Sequence, residues 1–466
     1  MGQKQQATAD PTAEPKKRRR VGFSNIDAGI EAKDCIKIYL VSSKEQVGAS
    51  ESYCIDPVDL NGFFDEDGKI YGYHGLKITI WISSITFHAY ADIIYQSRSD
   101  GAKGITDLKS SLQRIFAETL VESKDDFLKS FSVESHLIRS IVSTGEILQQ
   151  KGSNEHIHDS VSHTHNGAAT SDVKVVRMVI GNAGTGHLYS RLIPLVLLLV
   201  DGSNPIDVTD PGWELYVLVQ EINDEQGDTQ HRVLGFTAVY RFYHYPDKTR
   251  LRLSQILILP PYQHKGYGCR LVEVVNNVAI SEDVYDLTVE EPLHYFQHVR
   301  TCVDVQRLLV FNPIQDAINS AVSNLKQGKL SKKTHVPRFM PPSTAIEDVR
   351  KTLKINRKQF LQCWEVLIYL GLDPADKGME DFVTIISNRV KADILGKDSG
   401  TGGKQVIEVP SDYNPEMSFV MFRSGNVEGG SLQMDENQTN QKEQLQQLVD
   451  ERVKEIKLIA QKLRPV

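Results

Sequence analysis

The sequence lacks both a long apolar run and closely spaced cysteine pairs. Its most apolar stretch, Ile193–Val200, is interrupted by Pro194, whereas a helix that crosses a bilayer needs about 20 apolar residues. The N-terminal residues are rich in Gln, Ala and Pro, so we expect neither a signal peptide nor a membrane partner. Five scattered cysteines fit a reducing compartment and argue against disulfide and zinc frameworks: Cys35, Cys54, Cys269, Cys302 and Cys363.

Neither sign of charge is in large excess. Lys and Arg number 53 and Asp and Glu number 60, which gives a net charge of -7. This mild acidity disfavours direct nucleic-acid binding and favours a cationic partner by simple attraction. The exception is a compact basic block formed by Lys16, Lys17, Arg18, Arg19 and Arg20. Such a block is typical of a nuclear-import signal, although it also fits a solvated charge run, and we predict a protein of nucleus and cytoplasm.

A chain of 466 residues is longer than one ordinary domain. Composition and periodicity predict an α+β protein in seven segments. These are a disordered basic tail at 1–27, a mixed N-terminal domain at 28–151, a flexible loop at 152–171, a central core at 172–312, a helical C-terminal domain at 313–396, a linker at 397–440 and a C-terminal helix at 441–463. The apolar stripe of that last helix predicts docking, either on a partner or on the rest of the chain.

The predicted loop at 152–171 contains four closely spaced histidines: His156, His158, His163 and His165. Imidazoles two residues apart can share a cation, which is the metal-binding interpretation. Neither a cysteine nor a reliable carboxylate partner completes a four-ligand set. A low-complexity loop is therefore the preferred interpretation, and we expect no metal.

Two further patterns concern local structure. Residues Leu108–Leu148 are predicted as amphipathic helices because apolar residues recur at helical spacing, namely Leu112, Ile115, Phe116, Leu120 and Phe127. The glycine-bearing run at 181–186 follows a predicted strand, and we interpret it as a mobile loop rather than a second phosphate site.

The central core has the clearest periodicity. Trp213–Ile222, Arg232–Tyr245 and Arg250–Leu259 are predicted as antiparallel strands with short connections. A helix at Gly268–Ile280 and a further strand at Val284–Glu290 follow. That helix buries one apolar face.

The strongest chemical signal is the run QHKGYG at 263–268, between a predicted strand and a predicted helix. Glycines let backbone N–H groups approach an anion, and the helix N-terminus adds a favourable dipole. A dinucleotide fingerprint has the order GxGxxG inside a parallel unit, whereas the strands here are antiparallel. The pyrophosphate of coenzyme A is the better fit, and the alternative is an ordinary turn at the entry to a helix.

Three segments of the core carry a family resemblance: YPDKTR at 245–250, SQILILPPYQ at 254–263 and LTVEEP at 287–292. They resemble the catalytic subunits of the type B histone acetyltransferases, a family within the GNAT superfamily of N-acetyltransferases. The resemblance covers about residues 212–292, and YGYHGLK at 71–77 extends it into the N-terminal domain. It implies a GNAT-type fold and a protein-lysine N-acetyltransferase that uses acetyl-CoA as its co-substrate.

The resemblance also implies how acetyl-CoA is bound. In that superfamily the strand before the glycine loop splays from its neighbour, and the thioester enters the gap. The backbone of Ile256, Leu257 and Ile258 is then expected to pair with the pantetheine arm. The amides that would hold the pyrophosphate belong to Gln263, His264, Lys265, Gly266, Tyr267, Gly268 and Cys269.

Acetyl transfer to a lysine needs a base, because a lysine with a pKa near ~10.4 is almost wholly protonated at pH 7. The resemblance gives this role to Glu290, with Glu291 as an acidic neighbour that tunes it or contacts substrate. Asp201 aligns with a family glutamate implicated in proton abstraction, although its side chain is shorter. The plainer alternatives are a solvent-facing acidic strand end for Glu290 and a turn carboxylate for Asp201.

Substrate and partner expectations also follow from the resemblance. It implies tail contacts at two clusters: Asp65, Glu66 and Asp67, and Tyr240, Arg241 and Phe242. An acidic, aromatic groove suits a basic peptide, although the first cluster also fits a polar turn and Arg241 departs from the usual aromatic pattern. The implied substrate is free, newly made histone four, held partly by the N-terminal domain, and the implied partner is a WD-repeat histone chaperone. Two alternatives stay open: a superfamily member that acetylates non-histone amines, and a catalytically silent histone carrier.

Overall fold

The computed structural model describes residues 29–64, 68–100, 103–148, 173–223, 229–327, 339–373, 378–395 and 434–464. The chain divides into two compact units, each made of non-contiguous segments. The first contains Met1–Ser143, Gly186–Asp207 and Ile222–Val233, and the second contains Thr144–Thr185, Val208–Glu221 and Leu234–Val466. The domain limits inferred from the sequence stay predictions. Along the described ranges, no helix is long and apolar enough to span a membrane.

Strands and helices are both abundant, and the expected α+β class is confirmed. The strands are β1 Ile30–Glu31, β2 Ile36–Val41, β3 Tyr53–Ile55, β4 Lys69–Ile70, β5 Tyr73–His74, β6 Lys77–Ser83, β7 Ala89–Ile94, β8 Ser97–Arg98, β9 Leu120–Val121, β10 Glu146–Leu148, β11 Val173–Val179, β12 Trp213–Asn223, β13 Thr229–His244, β14 Lys248–Ile258 and β15 Leu287–Val289. The helices are α1 Ala32–Cys35, α2 Leu108–Phe116, α3 Lys124–Val133, α4 Leu137–Val142, α5 Ala183–Leu199, α6 Tyr267–Ser281, α7 His294–Leu309, α8 Gln315–Lys326, α9 Ser343–Leu353, α10 Arg357–Gly371, α11 Gly378–Leu395 and α12 Met434–Leu463.

The first unit is built on a five-stranded sheet in the order β3-β2-β6-β7-β9. A small aromatic core lies on this sheet, where Trp81 stacks on Tyr90 with ring centroids 6.0 Å apart and Phe127 of α3 packs beside them. The start of α3 is fixed by Ser123, whose hydroxyl accepts from the Asp126 amide at 3.1 Å. Such a cap satisfies an N–H that the helix itself leaves unpaired.

The later part of α5 belongs to the first unit because of two tertiary hydrogen bonds. Arg191 donates to the Thr86 carbonyl at 2.8 Å, and the Val58 amide donates to the Leu198 carbonyl at 2.9 Å. Both contacts join residues more than 100 positions apart in the chain. They explain why the first unit includes residues from within the stretch 172–312.

The second unit contains a six-stranded sheet in the order β10-β11-β12-β13-β14-β15. The three core strands expected from the sequence are present as β12, β13 and β14, and β13 and β14 pair antiparallel. Helix α6 covers one face of the sheet with the apolar side chains predicted for it, including Leu271, Val275 and Val278. The sheet and α6 together carry the candidate site.

Helices α7 to α12 form a separate apolar core within the second unit. Helix α12 packs against α7, α10 and α11. It buries Ile456, Ile459 and Ala460, and Arg452 pairs with the buried Glu365 at 2.7 Å. Of the two alternatives for the C-terminal helix, the structure shows docking on its own chain.

Two local predictions were wrong. Leu120 lies in β9, which pairs in parallel with β7, and residues 146–148 form β10 against β11, so Leu108–Leu148 is not entirely helical. Whether a segment of two or three residues forms a strand depends on the strand it pairs with. So short a segment shows no periodicity in the sequence. The run 181–186 is not a loop throughout, because α5 begins at Ala183 and includes Gly184 and Gly186.

Candidate active site

Strand β14 carries one residue more than its neighbour β13. The register pairs Ala238 with Gln255 and Val239 with Leu253, so Ser254 is the extra residue of a β-bulge. A bulge changes which face the following side chains occupy. Leu253 before the bulge and Ile256 after it both pack on the α6 side of the sheet, although they are three residues apart.

The strand pairing on the other edge of β14 stops at the bulge. Strand β15 pairs with Leu251, Arg252 and Leu253, and the last bond of this edge runs from the Glu290 amide to the Leu253 carbonyl at 3.0 Å. Among the described strands, none continues along this edge beside the last residues of β14. The sheet therefore has a gap between β14 and the end of β15.

Backbone groups of β14 point into this gap. The Leu259 amide donates to Leu234 on β13 at 2.9 Å, and peptide groups alternate in direction along a strand. Ile256 and Ile258 consequently turn their backbone groups away from β13. The Ile258 carbonyl accepts from the Gln263 side chain at 2.9 Å. The Ile256 backbone is thus placed to pair with a ligand that enters the gap.

The predicted anion loop lies directly after this edge. Gln263, His264 and Lys265 are exposed, and Gly266 has φ +79° at the start of α6. The first N–H groups of a helix have no partner within it, and α6 has neither a side-chain cap nor an acidic residue in its first turn. These amides can donate hydrogen bonds to an anion.

Glu290 is the exposed carboxylate at the end of β15. Leu287 and Val289 pack toward α6, so Glu290 lies on the opposite face of the sheet. Its Oε2 accepts a hydrogen bond of 2.6 Å from the Ser254 hydroxyl at the bulge. Glu291 follows with φ +32°, an uncommon conformation for a residue with a side chain, and is also exposed.

An aromatic cluster lies on the same face as Glu290. The ring of Tyr240 is 4.9 Å from Trp213 and 4.5 Å from Phe242, and the guanidinium of Arg252 lies 4.3 Å from the Phe242 ring centroid. The hydrogen bond to Asp210 raises the pKa of Tyr240, and burial adds to this effect. Clustered aromatic rings of this kind, here packed edge to face, suit a peptide with cationic side chains.

Arg241 points to the α6 face and does not share the surface of its neighbours. It forms ion pairs with the buried Glu214 and with Glu282, and Arg177 also pairs with Glu214 at 2.7 Å. Burial alone would raise the pKa of Glu282, but hydrogen bonds from Arg241 and Arg177 outweigh it and lower that pKa. The tail contact expected of Arg241 stays a prediction.

The remaining expected residues lie in the first unit or outside the described residues. Asp201 lies in an exposed turn after α5, in the first unit, and its auxiliary role stays a prediction. The clusters at 65–67 and 16–20 and the histidines at 156–165 lie outside the described residues. Within the described ranges, no group of three or more His, Cys, Asp or Glu side chains could hold a metal ion.

Sequence reasoning did not identify three residues of the site, Ser254, Asp210 and Trp213. Ser254 gave no signal because a bulge follows from the pairing of two strands. Trp213 and Asp210 precede or begin a strand and look like ordinary boundary residues. An aromatic pattern at 213, 240 and 242 was the available clue, since all three rings are close in the fold.

Comparisons with known proteins identify the family of this chain. A family model described as "Histone acetyl transferase HAT1 N-terminus" matches residues 28–201. A histone acetyltransferase type B catalytic subunit of Arabidopsis thaliana is 59% identical over 465 residues, which cover 99% of this chain and 98% of that protein. The protein of the same description from Zea mays is 46% identical over 459 residues, with 97% and 94% covered.

A solved aminoglycoside acetyltransferase from a soil metagenomic sample covers 26% of this chain and 80% of its own, with 15% identity and a TM-score of 0.21. That likeness is too slight to bear on fold or function. The two plant relatives, in contrast, match nearly end to end. The chain belongs to the family of histone acetyltransferase type B catalytic subunits.

Proposed function

We propose that this acetyltransferase moves the acetyl group of acetyl-CoA to a lysine side chain of a histone tail, with Glu290 as the general base. The observation that carries the proposal is the gap in the sheet. An open backbone edge of β14 and an exposed carboxylate at the end of β15 lie on the two sides of that gap. A thioester in the gap would have a proton acceptor beside it.

The residues present fit acetyl-CoA. The uncapped N-terminus of α6 offers amide donors for a pyrophosphate, and Lys265 adds an exposed cation in the same loop. The Ile256 backbone offers hydrogen bonds to the amides of a pantetheine arm. Strand edge and helix N-terminus follow each other directly in the chain, so one ligand can use both.

Direct attack by the lysine amine accounts for the chemistry. Glu290 takes one proton from the lysine ammonium, and the neutral nitrogen then forms a bond to the thioester carbon. The carbon–sulfur bond breaks and the second proton passes from the nitrogen to the departing sulfur, so coenzyme A leaves as its thiol. An acyl-enzyme on Cys269 is disfavoured, because burial raises the pKa of that thiol and keeps it protonated.

The test is acetyl transfer to free histone four by wild type, Glu290→Gln and Glu291→Gln. Glu290→Gln keeps the size of the side chain but cannot accept the proton, and we expect a loss of about 10²-fold or more in kcat. Acetyl-CoA binding, measured by calorimetry, should stay within about twofold of wild type. Glu451→Gln, an exposed position on α12, is the matched control and should react like wild type.

The outcomes separate the parts of the proposal. A Glu290→Gln variant as fast as wild type would move the base to Glu291 or Asp201. A wild-type protein that binds acetyl-CoA but acetylates polyamines and not histones would support the alternative of a non-histone acceptor. Binding of histone and acetyl-CoA without turnover would indicate a silent carrier.

Finer aspects of substrate and setting belong to this proposal as well. The plant relatives are named as histone acetyltransferases, which supports a histone as the acceptor. We extend this to the tail of free, newly made histone four, to a WD-repeat histone chaperone as partner and to residence in nucleus and cytoplasm. Co-purification of partner proteins with the full chain from plant extract tests the chaperone. The cellular location of a fluorescent fusion, compared with one in which the basic residues at 16–20 are replaced by Ala, tests the residence in nucleus and cytoplasm.

A further inference from the structure

The bulge in β14 places an unassigned side chain against the proposed base. Ser254 is the extra residue of the bulge, and its hydroxyl donates to Oε2 of Glu290 at 2.6 Å. The two residues are 36 positions apart in the chain and are joined by the edge between β14 and β15. Both side chains lie on the sheet face opposite α6.

The bulge also lies where the gap begins. Without the extra residue, the alternation of β14 would continue unbroken, and Ile256 would not share the α6 face with Leu253. The pairing with β15 ends at this point, so the edge opens where Ser254 stands. The inserted residue thus lies where the free edge of β14 begins, and its hydroxyl donates to the carboxylate beside it.

We infer that Ser254 is a positioning residue for Glu290, an inference that rests on the proposed function. The Glu290 carboxylate is exposed and has no other hydrogen bond in the described part of the chain, so the serine alone restricts its rotation. The Ser254 hydroxyl holds Oε2 and leaves Oε1 as the oxygen that takes the proton from the substrate amine.

The kinetic test compares Ser254→Ala with Ser254→Thr, which keeps a hydroxyl. Ser254→Ala should lower kcat by about 10-fold, the order expected for one hydrogen bond to a charged group, with the KM for acetyl-CoA unchanged. Ser254→Thr should recover most of the rate.

Ser281→Ala is the matched control. Its hydroxyl donates to a carbonyl of its own helix, Val278 O at 3.0 Å, and its loss should leave kcat and the KM for acetyl-CoA unchanged. Circular dichroism and a urea titration of each variant exclude a folding defect as the cause of a lost rate.

A double-mutant cycle distinguishes positioning of the base from a structural effect. In a Glu290→Gln background, Ser254→Ala should change the residual rate by less than about twofold, because the carboxylate it serves is absent. A full additional 10-fold loss there would overturn the inference. So would a Ser254→Ala variant with the wild-type rate while Glu290→Gln is slow, and in that case the base assignment would stand. A fast Glu290→Gln variant would overturn both.

Discussion

At the scale of single residues, the active-site strand depends on one position without a side chain. Gly235 on β13 lies opposite Ile258 on β14. A Cβ built there would lie 2.6 Å from the Leu257 carbonyl oxygen and 3.0 Å from the Ile258 Cα. Both are backbone atoms, so the two strands would have to move apart. The close pairing of β13 and β14 thus fixes the position of the β14 edge that we propose binds acetyl-CoA.

Gly235→Ala should therefore destabilise the protein. We expect a loss of about 1–3 kcal/mol in the free energy of unfolding, as is typical of overpacking, measured from urea midpoints. Acetyl-CoA affinity should fall as well, because the displaced strand carries the edge that we propose binds it.

Gly268→Ala is the contrasting variant for the same experiment. A Cβ at this helical position would meet nothing closer than Ile258 Cγ1 at 4.0 Å, so stability should be unchanged or should rise by up to about 1 kcal/mol. Only acetyl-CoA binding should suffer, since the new methyl group stands in the proposed pyrophosphate loop. Equal urea midpoints for Gly235→Ala and wild type would contradict the packing argument.

At the scale of elements, one carboxylate joins three of them. Asp283 follows α6, pairs with Lys248 at the start of β14 and pairs at 2.5 Å with Lys354 at the end of α9. Hydrogen bonds from Lys248 and Lys354 lower the pKa of Asp283 from 3.8 to about 2. The Lys354 side chain is only 5% exposed, and the Asp283 carboxylate balances its charge.

Asp283→Asn tests this junction through its pH dependence. The residue has φ +47°, which asparagine tolerates well, so the substitution removes the charge and keeps the backbone. A pKa that folding lowers gives stability above the unfolded value near 3.8, and this stability is lost as pH falls toward about 2. The variant should therefore have a lower urea midpoint than wild type at pH 7.

The difference between the two midpoints should shrink below about pH 4. Asp348→Asn, an exposed position on α9, serves as the control and should differ little from wild type at any pH. A gap between wild type and Asp283→Asn that stays constant down to pH 3 would show that the charge is not its cause.

At the scale of the whole molecule, the last helix completes a core formed much earlier in the chain. Helix α12 packs on α7, α10 and α11, and its Ile456 and Ile459 are fully buried in the apolar cluster that includes Trp364 and Phe360. The final residues are consequently part of the second unit and contribute to its stability.

Ile459→Ala should cost about 2–5 kcal/mol in the free energy of unfolding, the usual cost of removing a buried isoleucine. Its neighbour Leu458 is 44% exposed and provides a matched control, for which Leu458→Ala should cost less than about 1 kcal/mol. The measurement is urea unfolding of the full chain. Equal costs at both positions would mean that α12 is not docked in solution.

Prediction from the sequence succeeded where the signal is local. The strands from Trp213 to Ile258 and helix α6 were identified, because periodicity depends on neighbouring residues only. Short strands such as β9 and β10 were missed, since their existence depends on a partner strand. The same reason explains the missed bulge at Ser254.

The sequence by itself determined the α+β class, the central strands with their helix and the acidic residues at the end of β15. These follow from residue type and spacing. The family is shown by a relative that is 59% identical over 99% of this chain. Only the tertiary structure decided which face Arg241 occupies, where the last helix docks and which hydroxyl holds Glu290. Those properties depend on pairing between residues far apart in the chain, and no local pattern encodes the register of that pairing.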